Sequence, residues 1–198
     1  MTVSDVKRDL HACMNGVASA AMRQSDDYRV NFGVELPRLE RLADEIDASL
    51  APDLWKESVR ECRILALMIQ RRDDFSEELC DVWIEQIHTA EIAQIASMYL
   101  FQYLDYAVDK SLEWIASDEE IKQICGFTTL WKIRERNILT VNNITANDNV
   151  NYNNDAEAFT SRTLEEIIDQ AQSAVISDNL FVKKIAQRWT SISRHTTY

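Results

Sequence analysis

The sequence predicts an all-α protein, and three observations carry that prediction. It contains three Gly and two Pro in 198 residues, where an average chain holds about 12% of the two together; a sandwich, a barrel or a doubly wound sheet would lack turn residues. Apolar residues recur at three- and four-residue spacing along most of the chain. Ser, Thr or Asp followed by acidic residues stands ahead of several of these runs, as at helix N-termini.

Taken in order, Ser4-Asp5 caps a first helix running to about Arg23, with Val6, Leu10, Cys13, Met14 and Val17 as its stripe. A turn follows over 26–32. Gly33 to Pro37 then leads into a second helix carrying Leu36, Leu39, Leu42, Ala43 and Ile46, with Pro37 in a first turn where its missing N–H costs nothing. Pro52-Asp53 opens a third (Leu54, Trp55, Val59, Cys62, Leu65, Ala66, Ile69), ended by Arg71-Arg72-Asp73-Asp74. Ser76-Glu77-Glu78 starts a fourth, with Leu79, Val82, Trp83 and Ile87, and Thr89 a fifth, with Ile92, Ile95, Ala96, Tyr99 and Leu100. A sixth covers 105–116, with Val108, Leu112 and Ile115 inward. Ser117-Asp118-Glu119-Glu120 begins a seventh, with Ile121, Ile124, Cys125 and Leu130. From Asn137 to Asn154 eight of 18 residues are Asn and no apolar period survives, which predicts an exposed loop or a helix-end extension. Asp155 and Asp178 then start the last two, with Phe159, Leu164, Ile167, Ile168 and Ala171 in one and Phe181, Val182, Ile185, Trp189 and Ile192 in the other. Eight to nine helices of this kind pack either as an irregular bundle or as stacked pairs, and periodicity alone leaves both open.

Composition excludes several functional classes. Five Trp, six Tyr and six Phe supply a core, and a chain of this size buries about 70% of its unfolded surface. The longest strictly apolar run, Ile64–Ile69, is six residues, against the ~20 of a membrane helix. No hydrophobic block follows the first residues, so the expected location is the cytoplasm. Four Cys without a CxxC and three His argue for buried free thiols rather than disulfides or zinc; no metal and no cofactor is expected. A net charge of −12 argues against general affinity for nucleic acid but leaves room for a local basic patch. Lys183, Lys184, Arg188 and Arg194 against Asp178 give the last 21 residues a charge of +3.

Four stretches narrow the fold further: 32–39 (Phe-Gly-Val-Glu-Leu-Pro-Arg-Leu); Leu54-Trp55 with 60–66 (Arg-Glu-Cys-Arg-Ile-Leu-Ala); 113–118 (Glu-Trp-Ile-Ala-Ser-Asp); and Phe181-Val182-Lys183-Lys184. In this order and spacing, from about residue 30 to 195, the chain resembles the AlkD-type DNA alkylation repair family of HEAT-like repeat DNA glycosylases. The resemblance implies one domain over 1–198, an α–α superhelix of the HEAT/ARM solenoid kind with 137–154 as an Asn-rich loop within it. Its concave face, in active members, lies along duplex DNA and releases cationic N-alkylated purines. That chemistry needs a carboxylate to stabilise oxocarbenium character or position water, aromatic rings against the cationic base, and basic residues on the phosphates.

The residues that the resemblance assigns to this chemistry are altered here. Active members carry Trp-Asp-x-x-Asp at a helix start; the matching stretch places Ala90 at the Trp, Glu91 at the first Asp and Gln94 at the catalytic Asp. The family's site Arg falls at Ile124 and its second Trp at Arg188, beside Trp189. A neutral amide cannot replace a full charge in a low-dielectric site, where the difference is worth several kcal/mol. The implied function is therefore a family member with a degenerate glycosylase site, acting as a binding or scaffold module (a pseudoenzyme) for weakly held duplex DNA or for a protein in the groove. An active glycosylase using Glu91 and Trp189, and an acidic interaction protein without a DNA role, are the alternatives. No residue is assigned as catalytic; Glu91 is the candidate substitute, its plainer reading being a helix-start Glu favoured by the macrodipole. Lys183, Lys184, Arg188 and Trp189 are the DNA-binding candidates, with packing the plainer role of Trp189 and Trp83. Arg60 and Arg63, next to Glu57 and Glu61, are expected in internal ion pairs, and His88, without a partner, is a weak catalytic candidate.

Overall fold

In a computed structural model, residues 1–25, 28, 30–144 and 161–193 are described. They are helical throughout, with no strand and one isolated parallel bridge, Val30 to Val59. No helix among them is long and apolar enough to cross a membrane. Two compact units divide the chain, Met1–Leu100 and Phe101–Tyr198.

The first unit holds α1 (Val3–Ala12), α2 (Gly16–Ser25), α3 (Leu36–Ala43), α4 (Ala51–Trp55), α5 (Arg60–Ile69), α6 (Glu77–Ile84) and α7 (Ala90–Tyr99), with a 3-10 turn at Ala48–Leu50. Two expected helices are each broken in two. The first starts on Thr2, not Ser4-Asp5: Thr2 and Asp5 form a reciprocal capping box. It stops at Ala12 because Asn15 turns the chain, giving its N–H to the Phe32 carbonyl (3.0 Å) and capping Ala18 through its side-chain oxygen (3.1 Å). The stripe therefore ends at Leu10, and Met14 and Val17 face solvent. The second break separates α4 from α5: Val59 is extended and pairs with Val30, whose carbonyl accepts the Arg60 N–H at 3.1 Å. Apolar spacing runs unbroken through both interruptions, so periodicity does not register them. Eleven α-helices among the described residues replace the eight to nine expected.

Helix α5 is the centre of this unit, packing against α1, α3, α4 and α7 and buried on nearly every side. Trp55 and Trp83 stack face to face beside it at 4.3 Å, with Phe75 edge-on to Trp83. Trp83 is thus a packing residue, whereas Val82 is 53% exposed and Cys80 takes the inward place.

The second unit holds α8 (Ala107–Ile115), α9 (Glu120–Ile144), α10 (Ser161–Ala174) and α11 (Leu180–Ser193), after a 3-10 turn at Phe101–Tyr103. Helix α9 packs on α8 and α11, and α10 on α11 and α8. Gly126 lets α9 approach α8: a Cβ there would lie 2.7 Å from the Ser111 carbonyl and from an Ile115 methyl. Helix α11 is capped by Asn179 rather than Asp178, its side-chain oxygen accepting the N–H groups of Phe181 and Val182. The first part of the Asn-rich stretch continues α9 to Ile144. Residues 145–154, the expected cap Asp155, the stripe residue Phe159 and Arg194 lie outside the described residues.

Gly33 is the one glycine with a positive φ, +68°. That turn directs the flanking N–H groups of Phe32 and Val34 onto the buried Glu61 carboxylate, at 3.0 and 3.2 Å, a small backbone nest for an anion. A Cβ at Gly33 would also stand 2.5 Å from the Asn15 carbonyl and the Ser19 nitrogen. Gly33→Ala is expected to cost at least about 2 kcal/mol, lowering the thermal midpoint by roughly 4–8 °C. A calorimetric scan of both proteins checks this; an unchanged midpoint contradicts it.

Candidate nucleic-acid interface

The stretch that the resemblance aligns with the family's site, from Thr89 to Gln94, opens α7 in the first unit. Thr89 caps the helix by accepting the Ile92 N–H, and its hydroxyl shares a 2.6 Å hydrogen bond with Tyr28. Ala90 and Gln94 are half-buried. Glu91 faces Arg60 of α5 and accepts a two-pronged bond, 2.7 Å from Nε and 2.5 Å from Nη2. Arg60 is 4% exposed; its Nη1 donates to Glu61 (3.0 Å) and to the Val34 carbonyl (3.2 Å), and the Tyr28 ring lies 5.9 Å from its guanidinium carbon. Burial raises the Glu91 carboxyl, but the bonds and charge of Arg60 outweigh it and hold the group below its ordinary value. Burial likewise opposes charge on Arg60, and Glu91 and Glu61 reverse that, holding the guanidinium above its ordinary value. Burial foremost, and the neighbouring Glu91 carboxylate with it, push the Tyr28 hydroxyl strongly upward and keep it neutral.

Arg63, one turn on, has a different environment. It donates to the Glu57 and Gln86 carbonyls (3.1 and 2.7 Å) and lies over Trp55 at 5.2 Å. The ion pair expected of Arg60 is therefore present, reaching α7, whereas Arg63 is held by backbone carbonyls and a ring. Glu57 pairs with Lys7 instead (2.6 Å). His88 is exposed and borders a shallow hollow with Tyr28, Ser58, Arg60, Arg63 and Thr89.

In the second unit, Ile124 is core at 1% exposure. Trp189 is fully buried, gives its N–H to the Phe127 carbonyl (3.2 Å) and offers no face to a ligand; its place among the DNA-binding candidates is corrected on that ground. Lys183, Lys184 and Arg188 are exposed on α11. Arg188 lies over the half-buried Trp131 ring of α9, its guanidinium carbon 4.7 Å from the centroid, and Arg134 lies over the same ring at 5.6 Å. Trp189 meets Trp131 edge-on at 5.3 Å. Glu135 accepts the Trp131 N–H (2.6 Å) and Lys132 (2.8 Å). Burial pulls its pKa up, but those two bonds, with the charges of Lys132 and Arg188, bring it below the ordinary value. Trp131 and Arg134 are absent from the residues expected on sequence grounds. The visible signal is a Trp followed by three cations in the next five residues, 132–136.

A family model described as DNA alkylation repair enzyme matches residues 6–184. The chain belongs to the DNA alkylation repair enzyme family. A solved structure described as "a new family of proteins related to the HEAT-like repeat DNA glycosylases with affinity for branched DNA structures" superimposes on this family member with a TM-score of 0.77 at 16% identity, covering 98% of this chain and 79% of that one. At that identity the likeness shows the fold, a HEAT-like helical repeat. No curated protein matches the sequence.

In this family member Glu91 is bound to the core. Glu91→Gln takes a charged acceptor from Arg60 and is expected to lower stability by about 1–3 kcal/mol at neutral pH. Because the folded carboxyl lies below its ordinary 4.5, the wild-type advantage is complete above that value and is lost as pH falls through the folded pKa. Urea melts of both proteins at descending pH check this: the gap should close below about 4.5, and a constant gap contradicts the assignment.

Proposed function

We propose that this family member binds DNA of unusual structure, branched DNA above all, and no longer excises alkylated bases. The observation that carries the reading is the two-pronged bond between Glu91 and the 4%-exposed Arg60, together with Gln94 at the position that the resemblance gives to the reacting carboxylate. Base release needs an anion whose field acts on a developing sugar cation. The charge of Glu91 is answered by a guanidinium at contact distance, and Gln94 supplies a dipole in place of a charge. An active site built from Glu91 and Trp189 meets a second obstacle, since Trp189 is fully buried. The branched-DNA affinity named for the structural neighbour supports the choice of ligand.

Duplex DNA carrying N7-methylguanine, incubated with the purified protein, should lose the base no faster than DNA alone. Release well above that rate, abolished in Glu91→Gln, would overturn the degenerate-site reading in favour of an active glycosylase. A labelled four-way junction should be held more tightly than a duplex of equal length at the same salt. No binding of either at low salt would instead favour an acidic interaction module without a DNA role.

A further inference from the structure

We propose that the cluster of Arg134 and Arg188 over Trp131, continued by Lys183 and Lys184, is the surface on which this protein grips the DNA backbone. This rests on the DNA-binding reading above and assigns it a place. The ligand class is a run of phosphodiesters, recognised by charge and by guanidinium donors.

The arginines of the two units use their N–H groups differently. Arg60 has four of its five N–H donors engaged, by Glu91, Glu61 and a carbonyl, and its charge is answered by two carboxylates. Arg134 and Arg188 both lie over the Trp131 ring; among the described residues neither guanidinium makes an ion pair or a hydrogen bond. A cation–π contact fixes a guanidinium in place while leaving its planar fork of donors available for phosphate. A carboxylate partner would have occupied that fork. Trp131 is itself braced, edge-on by the buried Trp189 and through its N–H by Glu135, so both cations are presented from a rigid base. Glu135, the carboxylate in direct contact with the cluster, is taken up by Trp131 and Lys132.

Lys184 precedes Arg188 by four residues on α11 and therefore lies one turn along the same face; both, with Lys183, are exposed. The exposed acids of the neighbouring α10 are Glu165, Glu166 and Asp169. A chain of net charge −12 can approach a polyanion only where its cations are gathered and its acids are neutralised. This cluster gathers four cations, and Glu135, the acid in contact with it, is already paired with Lys132 and the Trp131 N–H. Its small footprint predicts a shallow salt dependence: three to four phosphates give a slope of log K against log salt of roughly −2.7 to −3.6.

The test is fluorescence anisotropy of the full chain with a labelled four-way junction across a salt series. The wild type is compared with Arg134→Ala/Arg188→Ala, Arg134→Lys/Arg188→Lys and a control, Arg8→Ala/Lys56→Ala, whose cations pair with Asp5 and Asp53 on the first unit. The alanine pair should lose roughly tenfold or more in affinity and flatten the slope by about 1.8 units. The lysine pair should keep the slope, and the control should match the wild type; unchanged thermal midpoints show that each variant is folded. If the wild type binds and the alanine pair matches it in affinity and slope, the assignment of this surface fails while the DNA reading stands. Lost affinity at an unchanged slope also overturns it, because that marks a packing effect. A wild type that ignores junction DNA at low salt overturns the DNA reading and this proposal with it. A polyglutamate peptide that displaces the junction at equal charge concentration overturns nucleic acid in favour of an acidic protein partner.

Discussion

Arg60 carries a full charge at a position 4% exposed to solvent, where an unpaired cation would be strongly destabilising. Much of the first unit is arranged to answer that charge. Glu91 reaches it from the start of α7, Glu61 from the next residue of α5, the Val34 carbonyl from the chain before α3, and Tyr28 from beyond α2. Each partner imposes a condition in turn. Glu61 needs the two N–H groups that the positive φ of Gly33 aims at it, and Gly33 needs the bare space beside Asn15 that the break between α1 and α2 creates. The Val30–Val59 bridge sets where α5 begins and hence where Arg60 stands. A buried pair of this kind adds less to net stability than its geometry implies; its strict donor accounting makes one arrangement of these segments the satisfied one.

The same residue type serves a different end in the second unit. Arg134 and Arg188 lie on an aromatic face, and the cost of holding them is low because they stay partly hydrated. One unit thus uses arginine to join helices, the other to hold charge at the surface. The degenerate site and the phosphate-binding cluster that we propose are compatible, since chemistry requires a single correctly placed anion and backbone binding requires only gathered cations.

Helix class, the caps at Ser76 and Thr89 and the buried stripes of α3, α5, α7 and α9 were legible because they depend on local spacing. Ser76 and Thr89 each accept an N–H three residues on, a short-range hydrogen bond. The two helix breaks were not legible, because Asn15 and Val59 are fixed by partners that are distant in sequence, Phe32 and Val30. At the site, the internal pairing of Arg60 was anticipated from its neighbours, but its main partner lies 31 residues away and leaves no local trace. That Trp189 is covered and Trp131 is reached by solvent was hidden for a related reason. Tryptophans look alike in sequence; which one is covered depends on how α11 seats against α9.

The exposure of Trp131 has an optical consequence. The other four tryptophans, Trp55, Trp83, Trp114 and Trp189, are 3% exposed or less, whereas Trp131 is reached by solvent beneath two guanidinium groups. Iodide, an anionic quencher, would be concentrated at that indole by the adjacent cations and excluded from the rest. The protein therefore contains an intrinsic emission probe at this one patch, whose signal reports the local electrostatic potential without any added label.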